Sequence, residues 1–581
     1  MNILGVHYGH NATVCLMQNG RLVFCQSEER FNRIKNCVTF PSLTLEYIYR
    51  NLVSPEEIDH AILFESKDGT YRVLKKGGFK PIDGGYYLNP DSLRGKWNES
   101  IYQTTLGRAF KQKKDELRHE VRGYRRKMMA WASQELRLPP DKVQCVDHHL
   151  AHAHSAVPNI QNWEQALIFT LDASGDGHCA TVNLFTNGEM QVLNSTSDKH
   201  SLGFYYTQTT CLLGMKGSEH EFKVMGLAPY AKSQYYQTIL EALRRMIRIN
   251  EGGDWESSHS SKPLLRELDK IYRFQRFDNV AGAIQELTEE LTCQWVQYWI
   301  RKTGCRNIAL AGGVFMNVKA CQRIAAMDSI DKIFVVPSAG DETTAVGAAV
   351  WAHLKYSRSQ PLEPIRDLYL GIEYGDSEIE SALKNAGVSS RYDVSQPGNI
   401  NLTIAKLLAE NKIVARCSGR MEFGARALGN RSILANPSDF ANLNTINEAI
   451  KCRDFWMPFT PSILEEEMPR YIQNHNRIFA PYMCITFDST QEARRDLKAA
   501  LHPKDFTVRP QCVIKDWNPD YHEIISEFKK LTGIGGVLNT SFNLHGEPNV
   551  CSPADAIYTL DNSGLNYLAM GRYLLSKRAS L

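Results

Sequence analysis

Short, mostly apolar runs occupy Asn2 to Val6, Val14 to Leu16 and Arg21 to Cys25. Turn residues separate them at Gly9-His10-Asn11 and Asn19-Gly20, so the chain is predicted to open on a meander of strands. The run DHHLAHAHSA, from Asp147 to Ala156, carries small and apolar residues at helical spacing. The apolar stretch Ala166 to Leu171 predicts a strand that ends in Asp172-Ala-Ser-Gly-Asp176-Gly. A helix is predicted over Ile284 to Thr303, then a strand over Asn307 to Leu310 that runs into Gly312-Gly313. A strand over Lys332 to Val336, the turn Gly340-Asp341 and a small-residue helix through Gly347 repeat that order. Two strand–loop–helix units facing one cleft predict a nucleotide-binding core. From Ser357 to Pro364 the chain turns polar and proline-bearing, which predicts a linker between a first domain, 1–357, and a second, 365–581. The second opens with a helix over Ile404 to Glu410 and a strand over Ile413 to Cys417. The fold class is α/β.

Composition narrows the class. The 581 residues are 43% hydrophobic and 23% charged with a net charge of +3, so bulk charge predicts neither a nucleic-acid nor a membrane partner. Lys111 to Lys127 is rich in charge, but its interleaved Asp115, Glu116 and Glu120 fit a solvated helix face better than an RNA-binding surface. The fourteen cysteines form no Cys-x-x-Cys pair, which argues for reduced thiols in a cytoplasmic enzyme. The N-terminus reads as a strand and turn, not a signal peptide, and no apolar run is long enough to span a bilayer.

Candidate chemistry gathers at four places. His148 and His152 are four residues apart and share one helix face, while Asp172 and Asp341 stand at strand ends. Together they predict a mixed N/O metal site. The plainer duty for the two aspartates is turn and cap formation. His149 and His154 lie off the ligand face, with His149 a rival ligand through a shift of register. Gly419-Arg420-Met-Glu-Phe-Gly424-Ala-Arg426-Ala-Leu-Gly429-Asn-Arg431 interleaves guanidinium groups with glycines, the pattern of an anion pocket. Lys451-Cys-Arg453-Asp454, Arg509-Pro-Gln511 and Asn539-Thr540-Ser541-Phe-Asn543 follow. For Lys451 and Arg453 the bland alternative is surface pairing with Asp454.

Many of these segments recur together, in one order, in a known family. GHNATVCLM, SEERFNRIK, DHHLAHAHSA, LDASGDG, GSEHEFKVMGLAPYA, LAGGVFMN, PSAGDET, GRMEFGARALGNRSILA, KCRDFWMPFTPSIL, RPQ and LNTSFNLHGEP span nearly the whole chain. In these the chain resembles the O-carbamoyltransferases of natural-product and nodulation-factor biosynthesis. The resemblance implies an N-terminal ASKHA, threonylcarbamoyl-transferase-like module. It also implies a C-terminal YrdC-like module, similar to double-stranded-RNA-binding-like folds, that makes carbamoyl-adenylate from ATP and carbamoyl phosphate. His148, His152, Asp172 and Asp341 match the family's metal ligands, with Fe2+ the expected ion and Mg2+ accompanying ATP. His10 matches a histidine beside the transferred carbamoyl and is the candidate general base. Lys35, and more loosely Lys223, are candidates for phosphate or carbonyl contacts. Gly312, Gly313 and Asn317 would cradle ribose and phosphate. Arg426, Lys451, Arg509 and Ser541 match contacts to ATP and carbamoyl phosphate. Several relatives carry arginine where this chain has Met457, and Arg453 is the residue placed to compensate.

The partners implied are ATP, carbamoyl phosphate and a hydroxyl-bearing small molecule, with no nucleic acid and no membrane; a homodimer is one option for the assembly. The acceptor is left open. Lys67 to Met129 matches the family pattern least, and its Tyr71, Phe79, Tyr86 and Tyr87 are candidates to stack on a ring or cation. An ASKHA sugar kinase or ATPase would explain the glycine turns but neither the histidine pair nor the second domain. A tRNA-modifying enzyme would share both modules, but no basic stripe is evident. A hydrogenase-maturation carbamoyl carrier would bring Cys-x-x-Cys zinc fingers, which are absent.

Overall fold

The computed structural model describes residues 1–65, 121–357, 360–451 and 454–578. Arg453 and the four aromatics of the 67–129 stretch lie outside the described residues, as does most of that stretch.

The first half holds two five-stranded sheets of one design. Strands β1 (Asn2–His7), β2 (Thr13–Gln18), β3 (Arg21–Ser27), β4 (His60–Glu65) and β5 (Val143–Asp147) lie in the order β3-β2-β1-β4-β5. The first three are antiparallel, and β4 and β5 add on parallel to β1. Strands β6 (Gln165–Gly175), β7 (His178–Thr186), β8 (Glu189–Ser197), β9 (Asn307–Ala311) and β10 (Lys332–Val335) repeat this as β8-β7-β6-β9-β10, with the same antiparallel and parallel pairings. This duplicated topology agrees with the ASKHA-like expectation. After the fifth strand of each sheet comes a helix that runs through the seam between the sheets: α3 (His148–Ile160) and α6 (Thr343–Tyr356). They pack on each other, α3 also against β6 and α6 against β1. Both are buried nearly all round, so neither shows a single apolar stripe: α6 is mostly small and apolar, and α3 buries four histidines among its small residues. The Asp147 carboxylate accepts from Leu150 N and caps α3. Outside the sheets lie α1 (Ser42–Asn51), α2 (Val121–Leu136), α4 (Phe277–Thr303) and α5 (Val318–Ala325). The N-terminus of α1 is capped from a distance: Glu28 accepts from Leu43 N, Thr44 N and Thr44 Oγ1.

The second half is a mixed sheet of eight strands: β11 (Tyr392–Ser395), β12 (Val414–Cys417), β13 (Arg431–Ala435), β14 (Thr460–Leu464), β15 (Gln511–Val513), β16 (Gly536–Ser541), β17 (Tyr567–Met570) and β18 (Tyr573–Lys577). Their order is β11-β18-β17-β12-β13-β16-β14-β15. Neighbouring strand residues face opposite cores. Val414, Leu434 and Val537 pack with α8 (Ile400–Ala409) and α9 (Pro519–Thr532). Ala415, Ile433 and Leu538 pack with α7 (Asp376–Asn385) and α10 (Pro553–Asp561). With helices on both faces, the central strands are buried on both sides, and the polar residues within them, such as Arg416, Ser432 and Asn539, are buried too. Helix α8 begins at Ile400, earlier than its apolar periodicity predicts, because Asn399 accepts from Leu402 N and caps it.

The halves are joined by more than the chain. Residues 368–372 run between them: Cys25 N donates to Leu370 O, while Gly371 N donates to Met421 O and Phe423 N to Leu368 O. Among the described residues, no helix is long and apolar enough to cross a membrane.

Candidate metal centre and anion pocket

His148 and His152 project from α3, Asp172 from the irregular end of β6 and Asp341 from the turn before α6. The pairing of β6 with β7 shifts register between Leu171 and Gly175, which turns Asp172 out of the ladder and into the seam. The ligand atoms of all four residues lie within 4.8 Å of one another. His152 Nε2 is 3.5 Å from Asp172 Oδ2 and 3.7 Å from Asp341 Oδ1; His148 Nε2 is 4.0 and 3.8 Å from the same oxygens. Ligand bonds of about 2.1 Å in tetrahedral geometry separate neighbouring ligand atoms by about 3.4 Å, so a small divalent ion fits among these atoms. Gly175 makes the space: a Cβ there would stand 2.1 Å from His148 Cδ2.

The electrostatics point the same way. Burial disfavours charge on His152, but the two carboxylates outweigh it and raise its pKa to about 9. Against burial, the two imidazoles hold Asp172 well below the usual carboxylate range. Burial and the Asp172 charge push Asp341 up, yet His152, His148 and His7 bring it below its ordinary value. Protonated His152 balances the two carboxylates, and a divalent ion held among them would replace that proton. His149 faces away: Nδ1 lies 2.8 Å from Thr170 Oγ1 and Nε2–H donates to His178 O. Burial first, and then His148 and His152, lower its pKa to about 3. His154 Nδ1–H donates to Leu150 O. Neither ring joins the cluster.

The glycine pair beside the cluster has a local duty. Gly313 N donates to Asp172 Oδ2 (3.0 Å), and a Cβ on Gly312, at φ +97, would stand 2.5 Å from Leu171 O. Asn317 caps α5 through Ala320 N and exchanges two hydrogen bonds with the Gln285 amide. His10 is half-buried, in a two-residue ladder of Gly9–His10 with Val38–Thr39. Its backbone is tied to the metal turn through a residue the sequence reading passed over. His7 Nε2–H donates to His10 O (2.7 Å), and His7 Nδ1 lies 2.7 Å from Thr344 Oγ1, which donates to Asp341 O. Burial lowers the pKa of His7 to about 4. Lys35 is exposed, and Lys223 pairs with Asp454 at 3.0 Å across the halves.

In the second half the three arginines of the glycine-rich segment separate by role. Arg420 donates to Val23 O, Leu370 O and Gly371 O. Arg431 donates to Ser418 O, Gly419 O, Asn430 O and Cys551 O. Arg426, by contrast, is half-buried and makes no hydrogen bond or ion pair among the described residues. Its loop is held by a residue not anticipated from sequence: Glu422 Oε1 accepts from Leu428 N, Asn430 N and Arg431 N. Lys451 is 2% exposed, and its Nζ faces Ser541 O, Ser541 Oγ, Asn543 O and Asn543 Oδ1 at 2.5–3.2 Å. The bland alternative of a surface pair with Asp454 therefore fails for Lys451. Arg509 is half-buried, near Cys484, which also lies near Arg426. Met457 packs beneath Gly226 of the first half, where it fills an apolar contact between the halves.

Two family models cover most of the chain: Carbamoyltransferase N-terminus matches residues 2–350 and Carbamoyltransferase C-terminus residues 405–577. The chain belongs to the carbamoyltransferase family. This carbamoyltransferase is 30% identical to nodulation protein NolNO of Sinorhizobium fredii, over 98% of its own length and 79% of the relative's. It is 33% identical to nodulation protein U of Rhizobium tropici, over 94% and 91%. With nodulation protein NolO of Bradyrhizobium diazoefficiens it shares 32% identity over 74% and 79%. The carbamoyltransferase thus carries its carboxylate–imidazole cluster in the part matched by the N-terminal model, and Arg426, Lys451 and Arg509 in the part matched by the C-terminal one.

Proposed function

We propose that this carbamoyltransferase is an ATP-dependent O-carbamoyltransferase that acts on a hydroxyl of a small-molecule natural product. In this reading the second half combines ATP, carbamoyl phosphate and water into carbamoyl-adenylate, pyrophosphate and phosphate. The intermediate then gives its carbamoyl group to the acceptor in the first half and releases AMP. The observation that carries the reading is the division of one chain into two chemically different sites. A carboxylate–imidazole cluster in the first half suits a cation, and Arg426 in the second, whose guanidinium has no hydrogen bond or ion pair among the described residues, suits an anion.

His148, His152, Asp172 and Asp341 would hold the ion, with Fe2+ the proposed occupant; when bound it supplies a positive centre for the phosphate of the leaving AMP. Arg426 and Arg509 would bind the phosphates of ATP, accompanied by Mg2+, and of carbamoyl phosphate, and Lys451 and Ser541 would join them by giving up bonds to Asn543. Their positive charge offsets the charge that grows on pyrophosphate. Gly312, Gly313 and Asn317 would border the nucleotide, with the Asn317 amide already engaged by Gln285. His10, held by His7, would take the proton of the acceptor hydroxyl, and Lys35 would approach the phosphate or carbonyl. A panel of sugars, lipo-oligosaccharides and other polyols, incubated with both co-substrates and read by mass spectrometry, tests the reading. A carbamoyl adduct should form only when ATP and carbamoyl phosphate are both present. Product from carbamoyl phosphate without ATP would refute it.

A further inference from the structure

Asp341 and Arg426 belong to different halves, yet one hydroxyl joins the turns that carry them. Ser338 Oγ donates to a carboxylate oxygen of Glu342, the neighbour of Asp341, and accepts from Ala425 N (3.0 Å), the neighbour of Arg426. A hydroxyl has one proton to give, so Ser338 spends it on the metal turn and receives from the arginine turn. The two turns are in direct contact: Gly424 has φ +95, and a Cβ there would stand 2.6 Å from Ser338 Cβ. Arg30 holds the same loop from its other side by donating to Gly424 O (2.9 Å). Ser338 is itself at φ 55, in the left-handed region where a side chain is disfavoured and glycine fits freely. The backbone would be better served by glycine. What serine adds there is the hydroxyl.

We propose that Ser338 is a positioning residue that keeps the Arg426 turn in register with the metal-ligand turn, so that the activated carbamoyl group is retained between the two sites. The proposal rests on the two-site reading above. Without the hydroxyl, the intermediate escapes and meets water. The water oxygen bonds to the carbamoyl carbon, the bond from that carbon to the phosphate oxygen breaks, AMP departs with the bonding pair, and carbamate is released.

The test uses the full chain with ATP and carbamoyl phosphate and no acceptor, following pyrophosphate for the burst and AMP for release over time. In the wild type we expect a stoichiometric burst of intermediate followed by slow AMP release. Ser338→Gly should keep the burst, while its steady AMP release rises on the order of tenfold, because two hydrogen bonds, one of them to a carboxylate, are lost together. Ser338→Ala should release AMP at the same raised rate, which separates the hydroxyl from the backbone. Damage to the fold would lower burst and release together, so a rise cannot come from misfolding. A release rate in both variants at or below the wild-type value overturns the proposal. If the wild type makes no pyrophosphate that depends on carbamoyl phosphate, the two-site reading itself fails, and this proposal with it.

Discussion

At the residue scale, the histidine run shows how little separates a ligand from its neighbour. His149 and His152 sit on the same helix and are both almost fully buried, yet only His152 faces the carboxylates. The i, i+4 spacing already set His148 and His152 on one face, so this part of the site was legible in the sequence. His7 was not, because a lone histidine among apolar residues gives no sign that it will bridge His10 and Thr344 across the fold. The arginines were legible as a group but not as individuals. Which guanidinium remains uncommitted depends on carbonyls more than a hundred residues away, such as Cys551 O for Arg431. Replacing His152 by Ala should lower metal affinity by more than the 10–100-fold typical of losing an outer partner. His149→Asn should stay within about tenfold of wild type. Metal content after dialysis against a graded chelator distinguishes them, and equal losses in both variants would contradict the assignment.

At the scale of elements, strands β1, β2, β6, β9 and β10 and helix α6 follow the apolar pattern closely, since each is bounded by a glycine, asparagine or aspartate that the sequence shows openly. Helix starts are less visible. Helix α4 begins at Phe277, before the predicted Ile284, because Asp278, Asn279, Ala281, Gly282 and Ala283 are small or polar and leave little apolar periodicity in its first turns. The loop around Arg426 is an element in its own right, although it is neither helix nor strand. Three amide N–H groups converge on one oxygen of Glu422, which is 4% exposed. Glu422→Ala should strand those donors at about 1 kcal/mol or more each, a total of about 3 kcal/mol. It should also weaken nucleotide binding. Urea unfolding followed by nucleotide titration checks both; a stability change under about 1 kcal/mol would show that the loop is held by other contacts.

At the scale of the molecule, the two halves interlock through charged and polar contacts that no local pattern announces. Lys319 on α5 pairs with Asp505 at 2.5 Å, and His502 donates to Gly226 O. Burial pushes the Asp505 pKa up, but His502 and Lys319 outweigh it and hold the carboxyl far below its ordinary value of 3.8. A depressed carboxyl stabilises the fold fully above the unfolded value and loses that contribution as pH falls through the folded one. Asp505→Asn should therefore cost about 1–3 kcal/mol at pH 7, and the difference from wild type should shrink below about pH 4. Urea midpoints at the two pH values decide it, and a difference independent of pH would contradict the account. The duplicated sheet design was hidden from sequence for a related reason: sheet order is set by pairings between distant strands, such as β1 with β4, while the residues of the two copies differ. The central claim is that activation of the carbamoyl group belongs to the second half and its transfer to the first. The most direct measurement is pyrophosphate release from ATP, with and without carbamoyl phosphate, in His152→Ala and Arg426→Ala. The account predicts carbamoyl-phosphate-dependent release in His152→Ala at the wild-type rate, and a loss on the order of 10²–10³ in Arg426→Ala. Release that survives in Arg426→Ala, or that disappears in a folded His152→Ala, would contradict it.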